Sequence, residues 1–191
     1  MGGDRADMLD TRYARRPYKE ALSECGILEA LAAFDPRVAG TPPLGLDVPG
    51  SDIDVLCFAP DAHAFTHAVW RTFSGAPGFT AKQWVGAPRP VVASFEAAGW
   101  RIEVYGEATP VEQQCSWRHF DVERRLLDLG GTVFREAVLE RRRQGMKTEP
   151  AFAAALGLAG DAYLALLDLS GREDEALISA LHTGGFAGPA G

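Results

Sequence analysis

The chain has 191 residues, 47% of them apolar, which suffices for one compact domain with a substantial core and is short for two. Its formal charge of -7 and pI near 5.1 argue against general binding to nucleic acid, because that affinity rests on Lys and Arg neutralising phosphates. Cys25, Cys57 and Cys115 lie far apart without ligand spacing or a secretion signal, and no apolar run is long enough to cross a bilayer; reduced thiols in a soluble, cytoplasmic protein with no membrane partner are expected.

In chain order, residues 1–16 are charged and Gly-containing and are expected to fray. Periodicity predicts a first helix over 18–34, with Ala21, Leu22, Cys25, Leu28 and Leu31 on one stripe, and a second over 62–73, where Phe65, Ala68, Val69 and Phe73 recur. Strands are predicted near 37–39, 53–58, 79–85, 91–97 and 100–105, the last two joined by a tight Ala98-Gly99 turn. From Val111 the pattern turns helical, first to about 129 and then over 132–143, with Gly130-Gly131 between. Thr148 is positioned to cap a helix beginning Glu149-Pro150, and Asp161 another running to about 169. A last helix covers 173–182, and 184–191 reads as a flexible tail. Residues 1–191 are therefore expected to form a single α+β domain: a sheet-bearing core over 17–110 and a helical extension over 111–183.

The chemistry concentrates at Ser51-Asp52-Ile53-Asp54-Val55. Alternation along a strand turns Asp52 and Asp54 to one face and Ile53, Val55 and Cys57 to the other. Two carboxylates held that close resist ionising together unless a cation such as Mg²⁺ sits between them. Upstream, Gly40-Thr41-Pro42-Pro43 is a turn whose backbone amides are suited to phosphate oxygens.

A small Gly-Thr turn followed, ten residues on, by acid-hydrophobic-acid resembles the nucleotidyltransferase superfamily with the DNA polymerase β-like fold. That resemblance implies a mixed sheet flanked by helices and a third acid on a later strand, and Ile102-Glu103-Val104 supplies one. Gly40 to Asp47, Ser51 to Asp54, Gln113, Gln114, Arg118, His119 and the run Lys147 to Ala153 narrow the likeness to a bacterial family catalogued as domain of unknown function 4269, over roughly 26–169. The superfamily implies that Asp52, Asp54 and Glu103 hold up to two Mg²⁺ ions, with Mn²⁺ as a substitute. Glu103 would orient or help deprotonate an attacking hydroxyl. The implied reaction is transfer of a nucleoside monophosphate from a nucleoside triphosphate such as ATP to an unknown acceptor. The rival readings are a non-catalytic nucleotide or metabolite binder and a toxin-antitoxin partner; all three need the same core, and oligomeric state is not legible.

Gly40 and Thr41 are the expected phosphate turn. Ser51 either donates to a phosphate or caps the turn before the strand, and capping is favoured. Gln114, Arg118 and His119 are spaced to share one helix side, which faces either the nucleotide or solvent. Lys147 sits at a helix N-terminus, where the dipole disfavours a cation, and is read either as the contact of an anion partner or as a surface lysine, the latter being favoured. Asp47 reads as a turn residue, Arg141, Arg142 and Arg143 as cations suited to a helix C-terminus, and the four tryptophans as packing residues. One departure from the superfamily pattern is plain: consecutive prolines follow the Gly-Thr turn, shortening any helix there, and no basic residue lies between Thr41 and Asp52.

Overall fold

The structure, a computed structural model, describes residues 15–187. The fraying expected for 1–14 and the tail at 188–191 lie outside the described residues.

Five strands form one mixed sheet: β1 (Arg37–Ala39), β2 (Ile53–Phe58), β3 (Thr80–Gln83), β4 (Val91–Ala97) and β5 (Trp100–Glu107), in the order β1-β2-β5-β4-β3. Only the β2/β5 pair is parallel; the other three are antiparallel. The β4/β5 hairpin turns at Ala98-Gly99, both with positive φ (49° and 79°), as a two-residue turn matching strand twist requires.

One sheet face presents Ile53, Val55 and Cys57 of β2, Val91, Ala93 and Phe95 of β4, and Ile102 and Val104 of β5, all at most 1% exposed. These side chains pack with α1 (Tyr18–Cys25), α2 (Ile27–Ala30) and α4 (Ala62–Phe73) into one apolar cluster. The predicted helix 18–34 is broken, because Gly26 adopts φ 63°, the left-handed conformation that ends α1. The remainder is α2 and a 3-10 turn at Ala32–Phe34. α4 matches its predicted span, and the Asp61 carboxylate caps it by accepting from the His63 and Ala64 amides, both at 3.0 Å. Asp61→Ala should lower stability by about 1 kcal/mol in a denaturant titration while leaving the opposite sheet face unaltered.

The other face belongs to a helical layer: α5 (Cys115–Arg143), α6 (Thr148–Leu156), α7 (Ala162–Ser170) and α8 (Asp174–Thr183), whose apolar side chains pack with Leu56 into a second cluster. The helix expected from Val111 begins as a 3-10 turn, Val111–Gln113, and α5 starts only after Gln114, an extended residue. Gly131 leaves helical geometry inside α5 (φ 63°, ψ -158°), so the two glycines do mark a break, and the chain changes direction there. Thr148 does not cap α6: it is the first helical residue, and Lys147 holds the cap position without a side-chain bond. Asp161 does cap α7, accepting from the Leu164 amide at 2.9 Å. Phe186, expected in a flexible tail, packs edge-on to Phe134 at 5.0 Å. Among the described residues no helix is long and apolar enough to cross a membrane, and the three cysteines are unpaired.

Candidate functional site

Strand register builds the acid cluster. Asp54 is the direct parallel partner of Glu103, and the same row continues to Ala39 on one side and to Ser94 and Thr80 on the other. Neighbouring strands lie about 4.8 Å apart, so the two carboxyls are near neighbours. Asp52 precedes the first residue of β2 and joins Asp54 and Glu103 in the wall of one cleft of about 440 Å³. Gly40 and Thr41 border it at the edge of β1. The approach is tight, since a Cβ on Gly40 would stand 2.6 Å from Asp54 Oδ2. The opposite wall comes from α5 and α6.

Electrostatics follow from this crowding. Burial, then the charges of Asp52, Glu103 and Glu149, push the Asp54 carboxyl up from 3.8 to about 7. Glu103 is raised by burial and by Asp52, opposed by Arg101 and Lys82. Among the described residues no three His, Cys, Asp or Glu side chains already converge as a closed ligand group. The cleft is instead an open patch of repelling oxygen donors, the type preferred by Mg²⁺ over softer metals.

Of the other predicted contacts, two reach the cleft. His119 lines it, with Nε2 3.0 Å from the Tyr163 carbonyl and Nδ1 3.9 Å from Glu149 Oε1. Lys147 lines it as an exposed side chain that no hydrogen bond or ion pair engages among the described residues.

Three do not face the cleft. The Ser51 hydroxyl accepts from the Val48 amide at 2.9 Å, a contact within the turn before β2. Gln114 is 1% exposed, and its Nε2 donates to the carbonyls of Cys57 at 3.0 Å and Thr109 at 2.9 Å. Its extended backbone puts it outside the helix, so the four-residue spacing to Arg118 has no helical meaning. Arg118 turns to the end of α7, donating to the Leu167 carbonyl at 3.1 Å and the Ser170 hydroxyl at 2.8 Å. Arg118→Ala should therefore cost about 1 to 2 kcal/mol of stability and leave nucleotide affinity unchanged, which a melting curve and a calorimetric titration would check together.

The structure adds residues to the cleft that the sequence did not place there. Glu123, Arg142 and Glu149 line the cleft. Glu123 carried a signal, because it falls between Phe120 and Leu127 on a buried stripe of α5 where an acid is out of place. Arg142, assigned to the helix dipole, instead reaches the cleft wall and donates through Nη1 to the Met146 carbonyl at 2.7 Å. The Pro42-Pro43 run leaves a helix of one turn, α3 (Thr41–Leu44), and Arg135 of α5 donates to its Leu44 carbonyl. A basic side chain thus does reach this turn, but it binds the helix end rather than the cleft.

The model of the family described as Domain of unknown function (DUF4269) matches residues 20–169. The chain belongs to this family. No curated protein matches the DUF4269 chain. Two solved structures share its fold. One is the Cid1 poly(U) polymerase with MgGTP bound, at 12% identity and a TM-score of 0.52, covering 80% of this chain and 49% of that one. The other is the GLD-2/RNP-8 complex, at 10% identity and a TM-score of 0.51, covering 76% and 60%. The DUF4269 chain thus spans about half the length of the first and 60% of the second. At such identities the likeness is one of fold, the nucleotidyltransferase fold with its mixed sheet and flanking helices.

Proposed function

We propose that this DUF4269 protein is a Mg²⁺-dependent nucleotidyltransferase that moves a nucleoside monophosphate from a nucleoside triphosphate to an acceptor hydroxyl. The observation that carries the reading is the registered Asp54/Glu103 pair, joined by Asp52, in a cleft bordered by the Gly40-Thr41 turn. A carboxyl pushed up to about 7 by burial and by its acidic neighbours is in an environment that a divalent cation would relieve, so the donor set fits the metal. Asp52 and Asp54 would be the principal ligands, with Glu103 completing the set. When bound, Mg²⁺ supplies neutralisation of the charge on the transferring phosphorus and the departing pyrophosphate.

The chain's own residues do the rest. Of the first three helical positions of α3, two are prolines without an N–H, so phosphate contact at this turn falls to Gly40 and Thr41. Lys147 on the facing wall provides positive charge that this short turn lacks. Glu103, with its raised proton affinity, is suited to accept a hydrogen bond from the acceptor hydroxyl and to take its proton as the new ester bond forms and pyrophosphate leaves. His119, tethered to the Tyr163 carbonyl, holds the α5 wall against Glu149 of α6. Positioning and electrostatics are the main demands of phosphoryl transfer, and these groups supply both.

The single observation on the side of a non-catalytic binder is the same proline pair, which removes two amide donors that phosphate would use. A pyrophosphate-release assay with each nucleoside triphosphate, Mg²⁺ and a panel of hydroxylated acceptors separates the two. The wild type should release pyrophosphate with at least one pair, and Glu103→Gln should lower the rate by about 10²-fold or more. Binding without release across the panel, in wild type and variant alike, would favour the binder.

A further inference from the structure

Two buried polar atoms of this cleft have no partner among the described residues: Glu123 Oε1 and Arg142 Nε. Buried polar groups are nearly always bonded, so a pair of exceptions lining one cleft calls for a ligand. They come from opposite halves of α5, where a straight helix would hold them about 28 Å apart. The break at Gly131 brings Arg142 close enough for its charge to act on Glu123, yet neither Glu123 Oε1 nor Arg142 Nε finds the other as a hydrogen-bond partner.

We propose that Glu123 and Arg142 form a base-recognition subsite on the helical wall of the cleft, taking the hydrogen-bonding edge of a nucleobase beside Phe120. This rests on the nucleotidyltransferase reading above. The chemistry of the wall selects the ligand class. Glu123 is 5% exposed, and burial together with Glu149 pushes its carboxyl well above the ordinary range against the opposing charge of Arg142, which favours the neutral form with a donor and an acceptor side by side. A phosphate would bring negative charge to an acid that already avoids ionising, and an ammonium would need that acid ionised. A planar, neutral group with a donor beside an acceptor satisfies it with two hydrogen bonds, and the Nε–H of Arg142 adds a second donor. Phe120, 8% exposed and one turn before Glu123, gives the apolar flank such a ring prefers.

The test compares a base-free probe with nucleotides. Mg²⁺-tripolyphosphate and the α,β-methylene analogues of ATP, CTP, GTP and UTP are titrated calorimetrically into wild type, Glu123→Gln, Glu123→Leu and Arg142→Met, with melting curves for each. The wild type should prefer one or two bases over the others by about tenfold or more, as expected when buried polar groups read a ligand edge. Glu123→Leu and Arg142→Met should bring the four nucleotides toward one common affinity and leave tripolyphosphate unchanged. Glu123→Gln, still neutral with a donor and an acceptor, should keep the preference. Should Glu123→Leu not fold, Arg142→Met decides. A wild type that binds tripolyphosphate and all four nucleotides alike, or variants that keep its rank order, would overturn the subsite alone. A wild type that binds neither tripolyphosphate nor any nucleotide would overturn the transferase reading and the subsite with it.

Discussion

Asp54→Asn is expected to abolish nucleotidyl transfer and, without metal, to melt higher than the wild type at pH 8. Both effects come from one cause. In the folded protein this carboxyl titrates at about 7, against 3.8 for the ordinary group, because it is buried and faces Asp52, Glu103 and Glu149. A raised carboxyl contributes full stability below the unfolded value and loses it as pH climbs through the folded one. The wild type should therefore lose stability relative to Asp54→Asn between about pH 4 and pH 8, by roughly 2 to 4 kcal/mol, at about 1.4 kcal/mol for each tenfold difference in proton affinity. For a chain of this size that is about 5 to 12 °C in melting temperature. Mg²⁺ should reverse the order at pH 8, stabilising the wild type and leaving the variant unmoved, and its effect should shrink at pH 5, where a proton competes for the ligand. A variant that melts lower than wild type at pH 8 without metal would show that the carboxylate serves a hydrogen bond instead.

Gly40→Ala should be nearly as damaging, although it removes no functional group. Gly40 adopts φ 80° and ψ -169°, a backbone region other residues avoid at a cost of about 1 to 3 kcal/mol. A Cβ there would also stand 2.6 Å from Asp54 Oδ2 and 3.2 Å from its Cγ, so the carboxyl must move. Gly50 separates the two contributions: its φ is 89°, but no heavy atom lies within 4 Å of an added Cβ. Both substitutions should lower stability by about 1 to 3 kcal/mol in denaturant titrations. Only Gly40→Ala should also lose the Mg²⁺-dependent rise in melting temperature. Retention of that rise in Gly40→Ala would show that the Gly-Thr turn does not set the position of Asp54.

The sheet was legible because its strands carry the signal that burial imposes. The Ile53, Val55, Cys57 alternation separates a covered apolar face from an acidic one without any knowledge of what covers it. Glu103 could be placed beside Asp54 because it too sits between two buried apolar residues, Ile102 and Val104. The facing wall was harder to read. Its phase depends on where α5 starts and on which way the chain leaves Gly131, and both are settled by packing against α6, α7 and α8 rather than by local preference. Gln114, expected on the helix, is extended; Arg118 and His119, adjacent in sequence, both bond to α7, at its end and near its start, and of the two only His119 lines the cleft. Arg142 sat in a run of three arginines that the helix dipole explains equally well, so nothing local distinguished it.

The central claim is that the acid cluster and the Gly-Thr turn together take a metal-bound nucleoside triphosphate. It is tested most directly by calorimetric titration of an α,β-methylene nucleoside triphosphate into wild type and Asp54→Asn, each with Mg²⁺ and with EDTA. The expected result is saturable binding by wild type only when Mg²⁺ is present, and its loss in the folded Asp54→Asn protein. Binding that is equal with Mg²⁺ and with EDTA, or equal in the two proteins, would contradict the account.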